Sequence, residues 1–253
     1  MPPSQKMKRK LGLIQSRGIG DIIIALPIAK YYHDRGVEVH WPIDERFLPS
    51  FRNAVDYVNF IPFPFQSTIE GFFNTPVNLL KGVPCDRAVS LYSYLSKTTI
   101  CNKAFYASLK FDEYKYAISG VPFAEKWNLV IKRDPEREQA LFNAVVRSGD
   151  YIVVHKQGSV ASCEVGVPPR FRNMQCIEIS QRTDCIFDWL LILEKARFLL
   201  LIDSCFSNLV DQLGLTVEKQ FILRSDVHFT PVLRGDWSFY GEPAGARGMV
   251  VAP

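Results

Sequence analysis

Several large protein classes are excluded by what this sequence lacks. No apolar run reaches the ~18 residues that a membrane-spanning helix needs. The basic N-terminus is followed by LGLIQSRG, which is too short and too polar for the apolar region of a signal peptide, so a cytoplasmic protein is expected. The six cysteines (Cys85, Cys101, Cys163, Cys176, Cys185 and Cys205) form no CxxC pair and reach no disulfide-scaffold density, so reduced, mostly buried thiols are expected. There is no GxxxxGK[ST] phosphate loop, no GxSxG nucleophile elbow and no HExxH, and the four histidines show no metal-ligand spacing. Charge of one sign is also nearly balanced. A net charge of +4 permits contact with phosphates, nucleic acid or an anionic membrane without requiring any of them.

What is present is a packed core, with 47% hydrophobic against 22% charged residues. That balance argues against gross disorder. A length of 253 residues suits one large domain or two small ones. KLGLIQ (10–15) reads as a buried strand, Gly18 to Asp21 as a tight loop, and IIIALPIAKYYHDR (22–35) as a helix stopped by Gly36, with Pro27 in its early turns. VEVHWPI (37–43) reads as a second strand, and together these segments are the opening of a parallel α/β layer. Residues 47–63 offer a short helix and a strand, 85–94 a strand, and 103–121 an aromatic helix ending at Gly120.

The same grammar then restarts. A helix over 132–150 is punctuated by Asp134 as N-cap, Pro135 at its first position and Gly149 as its stop. Strands follow at 151–155, 174–180, 197–203 and 218–224, with helices at 184–196, capped by Asp184, and 207–214, capped by Ser207. The tail from Ser225 reads as irregular. The expected fold is α/β with two Rossmann-like domains, 1–149 and 150–253, the break falling near Ser148–Asp150.

Three groups of residues carry candidate chemistry. The first is SRGIGD. Gly18 and Gly20 could begin a GxGxxG dinucleotide loop, but position 23 is Ile, and only Asp44 at the second strand's end supplies the ribose-binding acid of that pattern. Asp21 fits either a helix N-cap or first-turn acid or a general base reaching a substrate hydroxyl from the carboxyl edge of a sheet. The second is HKQGS, where His155 ends a strand, Lys156 supplies a cation, and Gly158 and Ser159 supply donors. The third is IDSCFSN, with Asp203, Ser204, Ser207 and Asn208 before or within the start of a helix whose N-terminus favours anions. The last two loops could hold a diphosphate between them, or be ordinary polar loops. Arg170 and Arg172 either add phosphate contacts or are simply solvated.

Taken in order, SRGIGDIIIALPIAKYYHDRG, YIVVHKQGS and DWLLILEKARFLLLIDSCFSNLVDQLG resemble the blocks of GT-B glycosyltransferases, specifically the ADP-heptose:lipopolysaccharide heptosyltransferase family, glycosyltransferase family 9. The resemblance implies two Rossmann-like domains facing across a cleft, the first binding the acceptor and the second the nucleotide sugar. It implies an inverting transfer from a nucleotide-diphosphate sugar to a glycan hydroxyl, or to a hydroxylated DNA base, without metal or other cofactor. In that family the aspartate of the Gly-Asp loop is the base, and Asp21 matches it; Gly18 and Gly20 would shape the acceptor loop. His155, Lys156, Gly158, Ser159, Asp203, Ser204, Ser207 and Asn208 would contact the donor. Cys205 stands where the family has glycine, Asn208 where it often has histidine, and the lysine-tryptophan-proline segment is replaced by EVGVPPRFRN. The alternatives are a non-catalytic nucleotide- or glycan-binding module of the same fold and an NAD(P)-linked enzyme.

Overall fold

In a computed structural model, residues 8–92, 108–147, 149–158, 163, 166–223 and 230–240 are described. The chain divides into two compact units, Met1–Val130 and Ile131–Pro253. The division falls earlier than the break expected at 149/150, because the helix over 135–145 is tied to later residues. Arg133 pairs with both Glu138 and Glu194, and Arg137 with Asp184 and Asp188. These ion pairs join the helix to the segment around 184–195, all within the second unit.

The first unit is built on a four-stranded parallel sheet, order β3-β2-β1-β4, from β1 (Lys10–Ile14), β2 (Glu38–Asp44), β3 (Asn59–Phe63) and β4 (Arg87–Ser90). Parallel pairing requires crossovers. The first of these is α1 (Ile19–His33), in which every residue from Ile22 to Ala29 is buried. Pro27 lies mid-helix rather than in its early turns, because the helix starts at Ile19 instead of 22. A proline there lacks the N–H of its turn, and the adjoining turn is buttressed by Tyr116, whose hydroxyl donates to the Ile24 carbonyl at 2.8 Å. Two short helices, α2 (Leu48–Phe51) and α3 (Thr75–Lys81), precede β4, and α3 continues from a wide π turn at Glu70–Asn74 that the sequence reading did not foresee. Helix α4 (Phe111–Ser119) packs on α1 and ends at Gly120 in the left-handed conformation; residues 103–107 of the expected helix lie outside the described residues.

The second unit carries a five-stranded parallel sheet, order β6-β5-β7-β8-β9: β5 (Tyr151–His155), β6 (Gln175–Glu178), β7 (Phe198–Ile202), β8 (Lys219–Ile222) and β9 (Trp237–Phe239). Strands β5 and β7 are buried at every position, as continuous apolar strands at the centre of a parallel sheet should be. One face packs Ile152, Val154, Phe198, Leu200 and Ile202 against Phe171. Helix α5 (Pro135–Val145) starts as expected: the Asp134 carboxylate accepts from the Arg137 backbone N–H at 3.1 Å, and Pro135 is its first residue.

Three sequence expectations change here. The segment 184–196 is a 3-10 turn at Ile186–Trp189 leading into α6 (Leu190–Lys195), and Asp184 binds Arg137 instead of capping it. Helix α7 spans Cys205–Gln212, so its cap is Ser204, and Ser207 sits three residues further on. The tail is not wholly irregular, since Trp237–Phe239 pairs with β8. Cys85, Cys163, Cys176, Cys185 and Cys205 are free thiols, but not mostly buried as expected: Cys176 is exposed and the other four half-buried, while Cys101 lies outside the described residues.

Candidate functional site

In the first unit the candidate residues gather where β1 runs into α1. Gly18 is the residue before the helix, at φ +80°, a conformation that favours glycine. A Cβ there would also come within 2.6 Å of the Asp21 Oδ2. The loop therefore requires glycine twice, once for its backbone and once for the carboxylate lying against it. Asp21 is the third residue of α1, so it is a first-turn acid and not the N-cap that the sequence allowed; no side chain caps this helix. Its partner is Lys115 of α4, whose Nζ lies 3.0 Å from Oδ1. The Asp21 side chain is 38% exposed and that of Lys115 only 4%. The same ammonium donates to Gln15 Oε1 at 2.7 Å and to the Leu91 carbonyl at 3.2 Å. Gln15 Nε2 in turn donates to the Arg17 carbonyl at 2.8 Å. The start of α1, the end of β1 and the segment after β4 are thus joined through one buried lysine.

Asp44, the would-be ribose acid of a dinucleotide site, is fully buried and already engaged. Arg46 grips both its oxygens (2.9 and 2.7 Å), and Arg17 approaches to 3.5 Å. Both guanidinium groups also lie over the ring of Phe65, Arg46 at 3.6 Å and Arg17 at 4.6 Å. The dinucleotide reading loses its acid to these arginines.

In the second unit, His155 ends β5 opposite Leu201 of β7, and Asp203 follows the end of β7, so both lie at the carboxyl edge of the sheet, where ligands of parallel α/β folds collect. His155 Nδ1 lies 2.9 Å from Ser204 Oγ, and its ring meets Phe206 edge-on. Burial lowers the His155 pKa to about 4, so the imidazole is neutral at pH 7. Ser204 caps α7 by accepting from the Phe206 N–H at 3.3 Å, while Ser207 Oγ accepts from the Ser204 N–H at 2.9 Å and donates to its carbonyl at 2.8 Å. This reciprocal cap leaves the helix end rigid. Asn208 is 4% exposed, and its Oδ1 finds no hydrogen-bond partner among the described residues. Burial pushes the neighbouring Cys205 thiol up to about 12, which keeps it protonated and unreactive.

Other expectations are redistributed. Lys156 lies 3.6 Å from Glu178, so its charge is partly offset. Arg170 is held by Glu218 and lies over the Phe171 ring, 4.6 Å away. Gly158 follows in the same loop, and Ser159 lies outside the described residues. Lys115 was missed from sequence. No sequence signal marked it: Asp112, Lys115 and Ser119 form a polar stripe that by pattern alone reads as a solvent face, and only the structure shows all three buried.

Several sugar transferases are among the known structures that share this architecture. A family 9 glycosyl transferase from Veillonella parvula matches 92% of this chain and 86% of its own length, with a TM-score of 0.63 at 13% identity. The E. coli heptosyltransferase WaaC, solved with ADP, matches over 91% of this chain and 92% of its own (TM-score 0.53, 11% identity), and E. coli ADP-heptose lps heptosyltransferase II over 91% and 89% (TM-score 0.52, 10% identity). No sequence-family model matches the chain, and no curated protein matches it by sequence. The chain therefore has the two-unit α/β fold of these glycosyltransferases, and at these identities the likeness is one of fold.

Proposed function

We propose that this protein is a glycosyltransferase that moves a sugar from a nucleoside-diphosphate sugar to an acceptor hydroxyl. The observation that carries the reading is Asp21: a part-exposed carboxylate fixed at the carboxyl edge of the first sheet, on a fold shared with enzymes of this chemistry. In the proposed step Asp21 accepts the acceptor's hydroxyl proton as that oxygen attacks the anomeric carbon. The bond from that carbon to the diphosphate breaks on the opposite face, and the nucleoside diphosphate leaves with the electron pair, inverting the configuration. The first unit supplies the base and the acceptor contacts, with Gly18 in the loop before α1; Gly20, expected in that loop, lies in the helix's first turn. The second unit takes the donor, through the capped N-terminus of α7, Ser204, His155, Lys156 and the unpartnered amide oxygen of Asn208. A neutral His155 can exchange a hydrogen bond with a donor hydroxyl without adding charge. Diphosphate charge is assigned to helix dipole and side chains, with no metal called for.

The test is a thermal-shift screen against ADP, UDP, GDP, CDP and dTDP and their sugars, ADP first because WaaC was solved with it, followed by transfer assays with the donor that binds. A ligand at a hundred times its Kd stabilises by about 2.7 kcal/mol, well within detection. Asp21→Asn is expected to keep donor binding and lose turnover by 10²-fold or more; undiminished turnover removes Asp21 as the base. A second reading, a non-catalytic binding module, rests on Cys205 and Asn208 in the α7 loop. It is favoured if a nucleotide sugar binds and is never turned over.

A further inference from the structure

We propose that Lys115 is a positioning residue for Asp21, holding one carboxylate oxygen so that the other faces the acceptor. This rests on the transferase reading above. Lys115 lies on a helix remote in sequence, and nothing in its local pattern compels an ammonium to be buried; a lysine at a helix surface ordinarily keeps its head in water. Here the side chain is 4% exposed, and the head meets three oxygens: Gln15 Oε1 at 2.7 Å, the Leu91 carbonyl at 3.2 Å and Asp21 Oδ1 at 3.0 Å. Removing an ammonium from water is costly unless its partners are good. Two of these partners are neutral; the charged one is the candidate base.

The two oxygens of Asp21 therefore differ. Oδ1 belongs to Lys115. Oδ2 lies over Gly18, where only the missing Cβ makes room for it, and it has no hydrogen-bond partner among the described residues. A carboxylate pinned at one oxygen loses rotational freedom about its terminal torsion, and the free oxygen is left in one place. That is the pre-organisation a base needs to meet a hydroxyl at hydrogen-bond distance. Gln15 extends the restraint: through the Arg17 carbonyl it fixes the backbone that precedes Gly18.

The experiment compares Lys115→Met, Lys115→Gln and Lys115→Arg with Asp21→Asn and the Lys115→Met/Asp21→Asn double variant, in full-length protein. The Met and Gln variants are expected to lower kcat 10- to 100-fold with the donor KM within twofold. Lys115→Arg should recover part of the loss. The double variant should turn over no more slowly than Asp21→Asn alone, because the two residues act as a unit. Unchanged kcat in both neutral variants, or effects of Lys115→Met and Asp21→Asn that multiply, would overturn the proposal. If the neutral variants fold poorly, the arginine variant still decides: it keeps the charge but moves its centre, so wild-type kcat with Arg at 115 would show that position does not matter. If the wild-type chain transfers no sugar at all, the transferase reading fails separately. The pairing is then read from thermal unfolding, where strictly additive Tm losses for the single and double variants would overturn it.

Discussion

At residue 18 two requirements coincide, and they can be separated by experiment. Gly36 also has a positive φ, +76°, but nothing lies within 4 Å of where its Cβ would be. Alanine at either site carries the backbone strain of an L-residue in the left-handed region, about 1–2 kcal/mol. Only Gly18→Ala also drives a methyl against the Asp21 carboxylate, whose flexible end can move aside. Urea unfolding should therefore show similar losses for Gly18→Ala and Gly36→Ala, while only Gly18→Ala loses turnover. His155 makes a prediction of a different kind. Its folded pKa of about 4 lies below the ordinary value of 6.5, so between these the unfolded chain binds the extra proton. Its contribution to stability is complete above pH 6.5, falls as pH drops toward 4, and is constant below that. The fall amounts to about 3 kcal/mol. Unfolding measured at pH 4.5 and 7.5 should show that slope in the wild type and a shallower one in His155→Gln.

Among the elements, α5 illustrates how far the sequence could be read. Its cap and its proline were legible, because Asp134 and Pro135 act locally; its end was not, since the helix stops at Val145, short of the expected Gly149. Its allegiance was not legible, because that depends on Arg133 and Arg137 finding carboxylates near residues 188 and 194. Helix α7 shows the same limit at shorter range: the sequence put its cap at Ser207, whereas the helix begins at Cys205, just after β7 ends, and is capped by Ser204. The site followed this pattern. Asp21, His155 and Ser204 stood in readable motifs, whereas Lys115 and the arginines around Asp44 became visible only when strands and helices were brought together. The α5 ion pairs also differ in worth. Asp188 is 4% exposed and accepts from Arg137 Nη2 at 2.8 Å and Nε at 3.1 Å. Arg137→Ala leaves that carboxylate buried with Thr183 as its remaining neutraliser of hydrogen-bonding demand, so a loss of about 1–3 kcal/mol is expected by urea denaturation. Arg170→Ala breaks a pair whose side chains are 63% and 48% exposed and should cost under about 1 kcal/mol.

At the scale of the whole molecule, the fold class was legible because both halves repeat one grammar, a buried strand running into a polar loop and then a helix. Each unit completes an all-parallel sheet from its own residues, four strands in the first and five in the second. Among the described residues no helix is long and apolar enough to cross a membrane. The fold thus supplies two sheets, each with a carboxyl edge on which polar loops are displayed, and the proposed division of labour gives one edge to the acceptor and base and the other to the donor.

The last strand has a consequence for how the chain can be shortened. Strand β9 covers the outer side of β8, and its Trp237 is anchored when Nε1 donates to Asp211 Oδ1 at 3.0 Å, the oxygen that also accepts from the Arg234 N–H at 2.7 Å. A chain cut before Arg234 would lose both donors and uncover KQFI, a strand with buried phenylalanine and isoleucine, along its whole hydrogen-bonding edge. Such an edge is a template for pairing with other chains. A three-residue strand in what reads as a ragged tail thus covers that edge, and trimming the tail would open it to pairing between chains.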